Sequence, residues 1–180
     1  SGYFRFAAKA DAAGGDVRAA KKRLFSTVWG ITSLAAVAFF AAVAALREPI
    51  ARAMGEAYVA HPEYVVLVGA IVMFDVASCI PFSRLREQGR AGRFVTLKML
   101  NIVLQTGLAF AFGAMGLFAT EFGVGWAFVA NLAASVITFA SILPTTERTV
   151  PKVDWLLLAT VFSYSLPLLV SGVAGTANEF

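Results

Sequence analysis

The residues with chemistry to offer lie between Val72 and Gln105, in the stretch VMFDVASCIPFSRLREQGRAGRFVTLKMLNIVLQ. Arg84, Arg86, Arg90 and Arg93 are concentrated in its middle, Asp75 precedes them inside an apolar run, and Lys98, Asn101 and Gln105 follow inside another. In a soluble protein so basic a segment is solvated surface. Between two segments each long enough to cross hydrocarbon, it reads as a hinge on the cytoplasmic side of a membrane. Ionisable groups within the bilayer are costly and mark a functional site by default. Asp75 and Ser78 stand three residues apart on one helical face, with Arg86 near that face further along. Lys98, Asn101 and Gln105 form a polar stripe that must point at protein or a wet cavity, because lipid cannot satisfy it.

Composition agrees with a membrane setting. Of the chain's 180 residues, 59% are hydrophobic and 14% charged, against about 45–50% and about 25% in soluble domains. The mean hydropathy is +0.75. The formal charge of +4 does not indicate a nucleic-acid partner, since the cations sit beside apolar runs without aromatic–basic interleaving. The single Cys79, in the middle of a span, reads as a buried, inert thiol. No phosphate-cradling glycine loop, Cys/His ligand set or Ser–His pair is present. No cofactor or metal is therefore expected. Without an initial Met or a signal-peptide pattern, the chain is expected to be a piece of a longer polytopic protein.

Taken in order, residues 1–23 are a basic, amphipathic connector, read as two short helical pieces broken at Gly14-Gly15. Four spans are expected at about 24–46, 64–82, 94–118 and 124–143, each near the 20 or so apolar residues that cross a bilayer. Residues 47–62 read as a mixed loop, His61-Pro62-Glu63 as a helix start, and Pro81 as the close of the second span. Gly107, Gly113 and Gly116 are placed to let helices approach, and Asn131, Ser135 and Thr138 share a face of the fourth span. Residues 144–152 form a loop, and 153–180 carry a fifth, truncated span kinked at Pro167. The expected architecture is thus an all-α polytopic membrane protein with five transmembrane helices.

Orientation follows from cations in short loops. They gather in the N-terminal segment, in Ser83–Arg93 and in Pro144–Lys152; the 47–62 loop holds Arg47 and Arg52, and the loop around Glu121 holds none. The cation-rich segments are expected to be cytoplasmic, in the inner membrane of the cell.

Several stretches together resemble one family. Tyr3-Phe4-Arg5-Phe6 before a cytoplasmic helix, Ile80-Pro81-Phe82-Ser83-Arg84-Leu85-Arg86 and Leu97-Lys98-Met99-Leu100-Asn101-Ile102 are similar to the polysaccharide-biosynthesis flippases of the multidrug/oligosaccharidyl-lipid/polysaccharide exporter superfamily. So are Gly125 to Leu132 and Asp154-Trp155-Leu156-Leu157-Leu158 leading to Leu166-Pro167-Leu168-Leu169. The resemblance implies a MATE-like transporter of twelve to fourteen helices in two lobes. This chain would supply its third to seventh helices, residues 24–143 belonging to the first lobe and 153–180 opening the second. It implies movement of a lipid-linked oligosaccharide between leaflets by alternating access, with glycan-assembly proteins as further partners and no bond made or broken.

A diphosphate headgroup needs cations it can reach from the cytoplasmic leaflet, which makes Arg84, Arg86 and Lys98 candidates, with Asn101 and Gln105 lining the path. Asp75 is a candidate ion-pair partner of Lys98 or Arg86, or a site for a coupling proton, and Pro167 a bending point. For the loop arginines, plain positive-inside topology is the competing reading. A multidrug or cation antiporter of the same superfamily, and a membrane-embedded glycan-processing enzyme using His61, Arg47 or Arg52, are the alternatives.

Overall fold

The computed structural model describes residues 17–145. The described residues fall into two compact units, 17–31 belonging to the first and 32–145 to the second. Residues 17–31 are helical, with Phe25 and Trp29 rings stacked at 5.5 Å and the Ser26 hydroxyl donating to the Arg23 carbonyl at 3.1 Å. The expected fifth span and Pro167 lie outside the described residues.

All regular structure among the described residues is helical. In chain order it comprises α1 (Val17–Ala45), α2 (Arg47–Met54), α3 (Glu56–Ala60), α4 (Glu63–Glu87), α5 (Ala91–Ala114) and α6 (Gly125–Ile142), with 3-10 turns at Leu117–Ala119 and Leu143–Thr145. α1, α4, α5 and α6 are each long and apolar enough to cross a membrane. α1 and α5 leave most of their apolar residues uncovered, with Leu34 70%, Val103 65% and Phe110 76% exposed. Water would penalise that surface; hydrocarbon does not. The chain thus has the character of a helical membrane protein.

The termini of these helices differ from the sequence reading in instructive ways. α1 is already helical at Val17, the first described residue, so the end of the expected connector runs continuously into the helix of the first span. Residues 47–62 hold α2 and α3 in place of a mixed loop, with Arg52 and Glu48 paired one turn apart at 3.7 Å. α4 runs straight through Pro81 to Glu87. Proline removes a helical N–H and crowds the preceding turn, yet Pro81 is fully buried, and Phe82 and Leu85 just beyond it pack with Leu97 and Ile142 in a closed cluster flanked by Phe94 and Phe139. Packing on both sides of the proline overrides its local cost.

Gly89 is the residue that ends α4. Its φ of +69° is the left-handed conformation glycine adopts without strain. Its N–H donates to Arg86 at 3.1 Å and that of Arg90 to Leu85 at 3.0 Å, the paired bonds of a Schellman motif. The turn to α5 therefore shrinks from the expected 83–93 to Gln88–Arg90. Arg84 and Arg86 ride on the last turns of α4, where they complement the helix dipole, and Arg93 rides on α5. α5 likewise stops at Ala114, short of the expected 118, before Gly116 at φ +72°.

α6 is the wedge of the described bundle, packing along both α4 and α5, while those two touch each other mainly near their shared turn. The opposite end is closed by aromatic residues. The Tyr64 hydroxyl donates to the Phe122 carbonyl at 2.6 Å, and its ring meets Phe122 at 5.5 Å and Phe128 at 5.6 Å. His61 stacks on Tyr64 at 4.9 Å and bonds Glu63 at 2.9 Å, in keeping with its place at the start of α4. The Trp126 indole N–H donates to Thr120 at 3.2 Å. Amphipathic rings of this kind suit a membrane–water boundary.

The glycines that allow close approach are Gly69 and Gly125, which the sequence reading did not select. A Cβ on Gly69 would lie 2.9 Å from Val43 of α1; one on Gly125 would lie 2.6 Å from the Tyr64 ring. Around Gly107 there is open space, and Gly113 faces only the nearby Phe118. Overpacking costs about 1–3 kcal/mol, whereas Gly to Ala inside an open helix gains up to about 1 kcal/mol. Gly125→Ala is therefore expected to lower the thermal unfolding midpoint of the protein in detergent, and Gly107→Ala to leave it level or raise it.

Candidate functional site

Between α4 and α5, with α6 as its floor, lies a cavity of about 330 Å³. α4 contributes Asp75, Ser78, Cys79, Phe82 and Arg86; α5 contributes Phe94, Lys98 and Asn101; α6 contributes Ser135 and Thr138. The helical periods explain the grouping. Asp75, Ser78, Cys79, Phe82 and Arg86 recur at three- and four-residue steps, as do Phe94, Lys98 and Asn101. Asp75, Cys79, Arg86 and Lys98 are exposed, so the cavity opens at the protein surface, while Ser78, Ser135 and Thr138 are buried in its wall.

Four cross-helix contacts are stacked along it. Nearest the α4–α5 turn, the Arg86 guanidinium lies over the Phe94 ring at 5.3 Å. Next, the Lys98 ammonium lies over the Phe82 ring at 4.8 Å, the two rings meeting edge to face at 5.6 Å. Further in, the Asn101 amide N–H donates to the Thr138 hydroxyl at 3.1 Å, joining α5 to α6. Farthest from that turn, the Ser135 hydroxyl donates to the Asp75 carboxylate at 2.9 Å, joining α6 to α4. Ser78 turns inward to its own helix, donating to the Phe74 carbonyl at 2.8 Å.

The structure therefore brings Asp75, Arg86, Lys98 and Asn101 together and separates others. The expected ion pair of Asp75 with Lys98 or Arg86 does not form: the carboxylate takes the Ser135 hydroxyl, and Lys98 takes a ring face. Arg84 is buried in the wall of the bundle and does not line the cavity. Gln105, one step beyond Asn101 on the polar stripe, is exposed and lies outside it. Pro167 is outside the described residues. Cys79, expected to be buried and inert, is an exposed thiol on the cavity wall.

Sequence reasoning put Ser135 and Thr138 on one face of the fourth span but did not assign them to the site. Phe82 and Phe94 were missed as partners of the cations. An aromatic residue four positions from each cation, at Phe82–Arg86 and Phe94–Lys98, was the available signal. The structure then crosses those pairs between helices.

The arrangement offers two cations, neutral donors and acceptors, and one carboxylate within a groove set among apolar helices, and so can bind a charged or polar group inside a membrane.

Comparison with known proteins adds no relative: no family model, no curated protein and no solved structure matches the chain.

Interhelical hydrogen bonds of this kind are worth about 0.6 kcal/mol on average and up to about 1.7 kcal/mol in membrane proteins. A double-mutant cycle of Asn101→Ala with Thr138→Val, read by unfolding in mixed micelles, is expected to give a coupling in that range. The same cycle with Gln105→Ala in place of Asn101→Ala is expected to give none.

Proposed function

We propose that the protein translocates a lipid-linked oligosaccharide across the cytoplasmic membrane for surface-polysaccharide assembly. It acts as one part of a two-lobe transporter of the exporter superfamily it resembles, with its fifth span opening the second lobe. The observation that carries this reading is the pairing of Arg86 and Lys98 at one end of a cavity framed by α4, α5 and α6, all long enough to span a bilayer. A diphosphate headgroup needs cations at membrane depth, and a charged side chain held there without a task is expensive. Positive-inside topology alone accounts for cations at a helix end; it does not account for Lys98, two turns into α5 and facing the cavity.

The way the cations are held also suits a binding role. Each rests on an aromatic face, a contact worth about 0.5–1 kcal/mol where water has access. Hydrogen bonds to charged groups are worth about 1.5–3 kcal/mol, so an arriving phosphate can draw the Lys98 ammonium away from the Phe82 ring. The carboxylate and rings also bear on the antiporter reading, in which an amphipathic cation would bind acids and aromatic faces. Here the faces of Phe82 and Phe94 already carry Lys98 and Arg86, which favours an anionic headgroup over a cationic drug.

The test is genetic. Cells lacking the gene are expected to accumulate lipid-linked precursor on the inner leaflet and to lose surface polysaccharide, and the wild-type gene to restore both. Lys98→Ala, expressed at normal level, is expected to reduce restoration at least tenfold, Lys98→Arg to keep part of it, and Gln105→Ala to restore fully. Normal polysaccharide in the deletion, with altered resistance to cationic drugs, would overturn the flippase reading in favour of the antiporter.

A further inference from the structure

The cavity has a direction. Its charged and polar groups are ordered from cationic at the α4–α5 turn, through the neutral Asn101–Thr138 pair, to the carboxylate of Asp75 held by Ser135. On α4, Asp75 lies seven residues from Phe82, which carries Lys98, and eleven from Arg86. At 1.5 Å per residue, the two ends of the site are roughly 10–16 Å apart along the helix axis. A ligand that is only an anion satisfies one end and brings negative charge toward Asp75, where like charges repel in a site partly shielded from water.

Resting on the headgroup reading above, we infer that the cavity takes a glycosyl diphosphate whose sugar bears a free amine. The diphosphate lies against Arg86 and Lys98, and the sugar lies along Asn101 and Thr138. The ammonium meets the Asp75 carboxylate, which keeps its bond from Ser135. A phosphate and an ammonium joined only by a two-carbon link, as in a phosphoethanolamine headgroup, are too close together to reach both ends. Asp75 thereby selects among substrates that share the same diphosphate.

Cys79 supplies the readout. It is the chain's single cysteine and it lines the cavity between the two ends. The protein in detergent is labelled with a maleimide in the presence of short-chain prenyl diphosphates bearing either a hexosamine with a free amine or its N-acetylated counterpart. The free-amine probe is expected to protect Cys79 at concentrations at least tenfold lower, a difference of about 1.4 kcal/mol, and Asp75→Asn to abolish that advantage while leaving protection by the N-acetylated probe in place. The wild-type comparison decides the matter even if Asp75→Asn fails to fold. Equal protection by both probes overturns the amine contact and leaves the diphosphate reading standing. Free labelling of Cys79 in the presence of either probe overturns both. Protection by phosphoethanolamine at the concentrations that suffice for the aminosugar probe overturns recognition of the sugar.

Discussion

Hydrocarbon offers no hydrogen bonds. Every polar side chain carried into it by a helix must find its partner on another helix, on its own backbone or in trapped water. The described bundle is arranged around that constraint. Asp75 is answered by Ser135, Asn101 by Thr138 and Ser78 by the Phe74 carbonyl. The first two bonds both end on α6, which explains why this shortest of the four long helices sits between α4 and α5. Its small and hydroxylated residues (Ala130, Ala134, Ser135 and Thr138 are all buried) let the neighbouring backbones come close while supplying the oxygens they need.

The two ends of the bundle are fixed by different means. At the α4–α5 turn, apolar packing of Phe82, Leu85, Leu97 and Ile142 closes the helices together around a glycine-ended turn. At the far end, Tyr64 and Phe122 do so through a ring contact and one strong bond to a backbone carbonyl. Between these two clamps the walls of α4 and α5 stand apart, and the cavity occupies that gap. Lys98 and Arg86 each rest on a ring across the gap, which partly compensates their charge.

Much of this was legible in the sequence, at a definite level of detail. Uninterrupted apolar length located the four described spans, and polar residues at helical spacing pointed to Asp75, Lys98 and Asn101. Helix ends were less legible, because Pro81 is a local stop signal that buried packing overrules, while Gly89 ends the helix through bonds that only the folded turn displays. Periodicity fixes a face of a helix but not what covers that face at each height. Gln105 therefore shares the stripe of Lys98 and Asn101 yet falls outside the cavity. The partner of Asp75 was misread for a related reason: opposite charges suggest a pair, but Ser135, sixty residues away in sequence, is the group that the crossing of α6 brings within reach.

The proposed transport role requires the cavity to be a wet site inside the membrane, reached from the side of the α4–α5 turn. The most direct test is the reaction of Cys79 with a membrane-impermeant maleimide in sealed vesicles of the two orientations. Labelling is expected in inverted vesicles, where the cytoplasmic face is outermost, and protection in right-side-out ones. A thiol that stays unreactive in both until detergent is added would mean that lipid or protein fills the groove, and would contradict that role.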